Sequence, residues 1–249
     1  MQLQGAFVFL SALAVTTATP LHRRCDGSGT GNPPDPANGV TYVLPSTGGP
    51  TPLPSPDAPL KHIVVGHGVQ NYTCPTAGAA GVSAGALAVL HDITYLYPGS
   101  GPGAVSPTTW NGLTSTVLRT TAMPIDTEDA SAPFPAPADL VVSVGGGGGR
   151  TLPFIGHHYF DAGGVPTFSL HDDAELLKSQ KLLNIPAPAD ADRGLAGEGA
   201  VDWLYLGDRG GSVGLTKVYR VFTSGGAAAA CGAVGETQSV PYTAMYWLY

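Results

Sequence analysis

The sequence has little charge, little cysteine and no basic cluster, and each shortage excludes a class of protein. Asp, Glu, Lys and Arg make up only 12% of the 249 residues, against about a quarter in ordinary soluble domains. The formal net charge is −7, which argues against a nucleic-acid partner because phosphate binding requires clustered Lys and Arg. Past the first few residues no apolar run approaches the length of a membrane-spanning helix. We therefore expect neither nucleic acid as a partner nor a membrane span.

Glycine, proline and strand-forming residues dominate what is present. The chain has 35 Gly and 23 Pro, and 43% of it is hydrophobic, a composition typical of a loop-rich β protein with a core. Segments rich in Val, Tyr, Trp and Thr, which suit pleated sheets, recur at 62–74, 85–93, 138–144, 154–162, 166–172, 201–207, 212–223 and 239–249. One short helix with a Thr N-cap is predicted over 108–120. Strands and helices do not alternate, so we predict a single antiparallel all-β domain, a β-barrel or a β-sandwich.

The beginning of the chain predicts secretion. An apolar run followed by small residues indicates a signal peptide over residues 1–18, although no Lys or Arg precedes the run. Arg23-Arg24 is either a dibasic processing site or a pair of solvated arginines. Residues 19–59 form a Pro/Gly-rich arm that we expect to be extended or disordered, with Tyr42-Val43-Leu44 docked on the domain at 60–249. We therefore expect an extracellular or cell-wall protein.

Three cysteines allow one disulfide and leave one thiol. Cys25 lies in the low-complexity arm, whereas Cys74 and Cys231 follow strand segments of the domain, so Cys74–Cys231 is the preferred bridge. Asn71 begins the sequon Asn-Tyr-Thr, a predicted glycosylation site. Because alternate strand residues face opposite sides, Asn71 can carry a glycan outward while Cys74 bonds inward.

Residues 153–173 contain three histidines and read as a β-hairpin. His157 and His158 are neighbours in a strand, so they face opposite ways and cannot bind one metal ion together. With a three-residue turn, His157 opposes His171 and shares a face with Asp173, a two-His, one-carboxylate set that suits a metal. With a two-residue turn the faces swap, and His158 lies on the side of His171. The alternative is a packed histidine beside a solvated one.

Three other motifs are weaker evidence for a binding or catalytic site. His67 lies between Gly66 and Gly68, which would let a ligand approach closely, but a bulge or bend in the strand explains the same glycines. The run 141–150 ends in five glycines and Arg, yet no helix can follow it, so it does not form a phosphate cradle. Ser83 matches G-x-S-x-G by letter, but it precedes a strand instead of occupying a strand-to-helix turn.

Five blocks of this chain resemble a family of secreted fungal and bacterial proteins of unknown function, DUF3455. The blocks are GHGVQNYTC (66–74), GHHYFD (156–161), GAVDWLYL (199–206), VYRVFTSGG (218–226) and VPYTAMYWLY (240–249). The resemblance covers roughly 60–249 and implies a secreted β-rich domain, with family cysteines at the positions of Cys74 and Cys231. Many fungal relatives have a further cysteine where this chain has Tyr95, a departure that leaves Cys25 without that partner.

The resemblance to DUF3455 does not indicate an activity. Some relatives have been labelled malate dehydrogenase, but this chain lacks the strand–GxGxxG–helix unit that binds a dinucleotide. We expect a non-catalytic binding or cell-surface protein whose ligand is a small molecule, a glycan or a surface, without a cofactor. One alternative is an extracellular enzyme using the hairpin histidines, metal-assisted or acid–base, and another is a cell-wall or spore-coat component. The candidate ligand-binding residues are His67, His157, His158, His171 and Asp173.

Overall fold

The computed structural model describes residues 39–126, 134–145 and 148–249. The predicted signal peptide, Arg23-Arg24 and Cys25 lie outside these residues. The strands are β1 (His62–Thr73), β2 (Val82–Asp92), β3 (Leu140–Ser143), β4 (Gly149–Leu152), β5 (Phe154–Phe160), β6 (Pro166–Leu170), β7 (Glu175–Ile185), β8 (Trp203–Asp208), β9 (Lys217–Gly225) and β10 (Thr237–Leu248). The helices are α1 (Pro107–Asn111) and α2 (Leu113–Thr120), and a 3-10 turn covers Thr94–Leu96.

Eight of these strands close into an antiparallel barrel in the order β1-β10-β9-β8-β7-β6-β5-β2, and β3 and β4 form a separate ribbon. Each barrel strand pairs on both sides, so the closed sheet has no free edge. The prediction of a single antiparallel all-β domain is confirmed, and of its two forms the barrel is the one observed. Among the described residues, no helix is long and apolar enough to cross a membrane.

Strand alternation divides the core into two layers. The inner layer fills one end of the barrel with apolar side chains from all eight barrel strands, including Val64, Leu90, Ile155, Phe168, Leu170, Leu177, Val218 and Leu248. The outer layer lies between the barrel wall and α1 and α2, and it includes Trp110, Leu113, Val117, Trp203, Tyr219 and Trp247. The barrel is therefore packed at one end, which we call the closed end, and lined by more polar residues at the other, the open end.

Part of the predicted arm lies against the outer layer. Tyr42 and Leu44 are buried there, and the rings of Tyr42 and Tyr97 lie 4.9 Å apart. The backbone N–H of Val43 donates to the Tyr97 hydroxyl at 3.0 Å. These contacts fasten the segment before β1 to the outside of the barrel.

The helical segment divides at Gly112, which ends α1 and precedes α2. Its N-cap is Ser106, whose side chain accepts from the Thr109 backbone N–H, so the expected Thr cap is wrong. The bulge expected near Gly66 and Gly68 is also misplaced, because the register shift between β1 and β2 falls at Asn71/Tyr72. Gly68 is instead required by a close approach, since a Cβ there would lie 1.9 Å from the Leu87 carbonyl oxygen.

The hairpin register differs from both expectations. His157 pairs with Ser169 and Phe160 with Pro166, so the connection between β5 and β6 covers residues 161–165. The predicted turns of two and three residues are both wrong. The Asp161 carboxylate accepts from the backbone N–H of Gly163 and of Val165, which holds this wider loop. His171 lies beyond the paired residues, and no histidine of β5 opposes it.

The predicted disulfide is confirmed: Cys74 and Cys231 are bonded across a sequence separation of 157 residues. The bridge joins the β1–β2 loop to the β9–β10 loop, which also pair through Ala80 and Ala230. Both loops lie at the open end of the barrel.

Replacing both bridge cysteines by serine should lower the free energy of unfolding by about 4–5 kcal/mol, because the unfolded chain loses a very long loop constraint. Guanidinium unfolding of Cys74→Ser/Cys231→Ser measures this change. The control is Cys25→Ser, which keeps the bridge and should unfold as the wild type does. Equal stability of the double variant and the wild type would contradict the expected contribution.

Candidate ligand cavity at the open end of the barrel

The open end of the barrel holds a cavity of about 570 Å³. Its walls include the apolar side chains of Phe160, Val201, Leu204 and Leu206. Its polar lining groups are Gln70, Tyr72, Ser83, His158, Lys181, Asn184, Asp202, Arg220 and Tyr246. The rim is formed by Ala80 and Gly81 from one disulfide-linked loop and Ala227 and Ala228 from the other. The bridge between Cys74 and Cys231 therefore fixes the shape of the entrance.

Arg220 projects from β9 into the barrel and is 8% exposed. Its Nε and Nη2 atoms donate to the backbone carbonyl of Asp202, at 3.0 and 2.8 Å. Among the described residues no carboxylate lies within ion-pair distance of its guanidinium. A buried cation thus faces the cavity with neutral hydrogen-bond partners only.

Two tyrosines of β10 lie beside this arginine. The hydroxyls of Tyr242 and Tyr246 are 2.8 Å apart, and burial raises the pKa of both phenols, so both remain neutral. The Tyr246 ring crosses the barrel next to Gly66, where a Cβ would lie 2.7 Å from a ring carbon. Glycine at that position makes room for the ring, which sets the floor of the cavity.

His158 is the only predicted histidine that lines the cavity among the described residues. Its Nδ1 donates to the Thr167 carbonyl at 2.9 Å, and its ring stacks on Phe168 with centroids 4.2 Å apart. Burial lowers the pKa of this imidazole to about 4, so the ring is neutral at physiological pH. Because Nδ1 carries the proton, Nε2 holds a lone pair and acts as an acceptor.

Gln70 adds a second unusual group to the lining. It is 6% exposed, and its Nε2 atom makes no hydrogen bond of good geometry within the described chain. The amide acts as a donor toward the Tyr242 phenol, whose pKa it lowers against the larger effect of burial. An amide NH₂ has two N–H groups, so one remains for a molecule in the cavity. Elsewhere in the lining, Asn184 donates to the Asp202 carboxylate at 2.8 Å.

His67 and His157 lie outside the barrel. His67 is buried beneath α2, where its Nδ1 is 3.3 Å from the Thr121 hydroxyl, and burial lowers its pKa to about 4. His157 packs against Phe134 with ring centroids 4.7 Å apart, and burial lowers its pKa as well. Neither imidazole reaches the cavity, so these two histidines do not share a site with His158.

The remaining hairpin residues lie at the closed end. His171 stands in the β6–β7 turn, and Asp173 accepts from the Ser169 hydroxyl at 2.5 Å. His171 lies close to His62, whose ring centroid is 5.7 Å away. Within the described residues, the group that could hold a metal ion is His62, His171 and Glu175, with ligand atoms within 4.8 Å of one another. His62 was missed from the sequence because it stands at the start of β1, far from the hairpin in the chain.

His62 is already engaged at both ring nitrogens. Nδ1 lies 3.5 Å from the Asp92 carboxylate and Nε2 lies 2.6 Å from the Glu175 carboxylate. Asp92 first and Glu175 second raise the pKa of the imidazole against the effect of burial, and the same contacts lower the pKa of both acids. An imidazolium between two carboxylates is a charge network, which a metal ion would have to displace.

Comparison with known proteins identifies a family whose function is unknown. The family model described as "Protein of unknown function (DUF3455)" matches residues 54–249. No curated protein and no solved structure matches the chain.

The pKa of His62 should exceed 6.5 and should fall when Asp92 is changed to Asn, which removes the charge but keeps an oxygen for the Thr94 N–H. Proton NMR titration of the histidine ring signals measures both values. Since the His62 pKa is raised, its stabilisation is complete below pH 6.5 and is lost as pH rises through the folded pKa. Since the Asp92 pKa is lowered, the stabilisation that the Asp92 carboxylate contributes is lost as pH falls through its folded pKa.

The control for this titration is Asp173→Asn, the same acid-to-amide change in the nearby β6–β7 turn. The Asp173 carboxylate contacts Ser169. This control should leave the His62 pKa unchanged. A His62 pKa that is the same in Asp92→Asn as in the wild type would contradict the assigned network.

Proposed function

The chain belongs to the DUF3455 family, and from its cavity we propose that it is an extracellular protein that binds a small organic molecule inside the barrel. The observation that carries the proposal is the open-end cavity of about 570 Å³, which lies within the size range of small-molecule sites. An eight-stranded barrel is about wide enough to hold one small ligand. Apolar walls with a few convergent polar groups are the usual composition of such a site.

The polar groups favour binding over catalysis. A general base works best when its pKa lies near the working pH, whereas His158 has a pKa of about 4. Ser83 lies at the mouth within β2 and has no strand-to-helix turn to activate it. Acid–base catalysis inside the cavity would therefore depend on His158 as a weak base, since His157 and His171 do not line it.

A coat or wall component would not require a cavity, so the cavity supports a binding role ahead of a purely structural one. Secretion is supported by the leader-like run at residues 1–18 and by the disulfide, since such bonds persist mainly in oxidising compartments. Asn71 lies on the outer face of β1 and is half-buried, and its Oδ1 accepts from the Ser239 hydroxyl. A glycan on Asn71 would extend away from the cavity.

Binding in the cavity can be tested with N-phenyl-1-naphthylamine, a neutral probe that fluoresces in apolar surroundings. We expect saturable binding at one site. Ala86→Phe should weaken it about tenfold or more, because Ala86 lines the cavity and an added ring occupies the space of the probe. Fluorescence titration measures the affinity.

Ala84→Phe is the matched control, since Ala84 is an exposed residue of the same strand that does not line the cavity. It should bind the probe as the wild type does. Absence of wild-type binding, or equal binding by Ala86→Phe, would overturn the proposed function.

Secretion can be tested by expressing the full chain in a secreting eukaryotic host. We expect protein in the medium that begins after Ala18, or at Cys25 if Arg23-Arg24 is cleaved, with a glycan on Asn71. Thr73→Ala should remove the glycan, whereas Thr73→Ser keeps the sequon and should retain it. Mass spectrometry of the medium checks each species, and retention of unprocessed chain in the cells would contradict the proposed location.

A further inference from the structure

The buried charge of Arg220 is not neutralised by the protein. Removing a cation from water is costly unless it is paired and hydrogen-bonded, yet the partners of Arg220 are the Asp202 carbonyl and the Tyr246 phenol. A guanidinium has five N–H groups, so donors remain for a further acceptor. Since Arg220 lines the cavity, that acceptor can come from a bound molecule.

The other charges around the cavity leave a positive balance. The charged side chains that line it are Arg220, Lys181 and Asp202. The carboxylate of Asp202 already accepts from Asn184 and lies beyond ion-pair distance of both cations in the described structure. Lys181 is exposed to solvent, so Arg220 provides the buried charge of the cavity, and this charge is positive in a chain whose net charge is −7.

Gln70 provides an independent indication of the same ligand chemistry. Its buried Nε2 makes no hydrogen bond of good geometry among the described residues, and it acts as a donor toward the Tyr242 phenol alone. Because the amide has two N–H groups, one of them remains to donate to a ligand. Tyr242 and Tyr246 share one hydrogen bond between two hydroxyls, which leaves one of the two O–H groups to donate elsewhere. Convergent donors around a buried guanidinium suit the oxygens of an acid better than a neutral group.

We propose that the molecule bound in the barrel is a small organic acid with an apolar body, and that Arg220 binds its carboxylate. This inference rests on the proposed function, because it assigns the ligand class of the same cavity. The carboxylate accepts from the planar guanidinium, a geometry that Arg provides and Lys does not. The apolar body packs on Phe160, Leu204 and Leu206, which line the walls.

The test compares two probes of nearly the same shape, 2-naphthoate and its neutral amide, 2-naphthamide, as competitors of N-phenyl-1-naphthylamine. For the wild type we expect the carboxylate to displace the probe at a concentration about tenfold or more below that of the amide, because charge-assisted hydrogen bonds in a buried site are strong. Arg220→Gln should abolish this preference, since glutamine keeps a donor but removes the charge.

The matched control is Arg150→Gln, the same substitution at an exposed residue of β4, which should preserve the preference. Equal displacement by the two competitors in the wild type would overturn the inference while leaving the proposed function standing, because the neutral probe still binds. Failure of all three molecules to bind would overturn both. The wild-type comparison decides the matter even if Arg220→Gln does not fold, which circular dichroism reports.

Discussion

Antiparallel pairing of β1 with β10 is the interaction on which the whole structure depends. It runs without interruption from His62↔Leu248 to Thr73↔Thr237, and it brings together two strands that lie far apart in the chain. Without it the eight strands would form an open sheet with two edges and no interior. With it, the alternation of each strand assigns every second side chain to a small enclosed space.

That enclosed space explains the distribution of polar residues. The closed end is filled by apolar side chains such as Leu170 and Leu248, whereas the open end contains Arg220, His158 and Gln70. A barrel that served only as a packed scaffold would have no use for a buried guanidinium, because an apolar side chain of similar volume is often neutral or stabilising there. The polar open end is therefore most simply explained by a ligand, whose entrance the disulfide-linked loops hold in place.

Composition and strand patterning predicted the β class, and the positions of the cysteines predicted the bridge. β7 was missed because its sequence, ELLKSQKLLNI, is rich in Leu and Lys and contains no Val, Thr or aromatic residue, so only its place between β6 and β8 makes it a strand. The register was missed because the Asp161 side chain stabilises a wider turn than Gly163-Gly164 suggested. Arg220 could be noticed in the sequence, since it is the one charged residue between Val218 and Phe222 in β9, but its inward orientation depends on the closed barrel.

The most direct test of a ligand-binding barrel is a crystal structure of the glycan-free protein grown with 2-naphthoate. We expect electron density for the naphthalene rings among Phe160, Leu204 and Leu206, with the carboxylate oxygens within hydrogen-bond distance of the Arg220 guanidinium. A barrel whose open end is filled by its own side chains, or one that holds water alone at saturating 2-naphthoate, would contradict it.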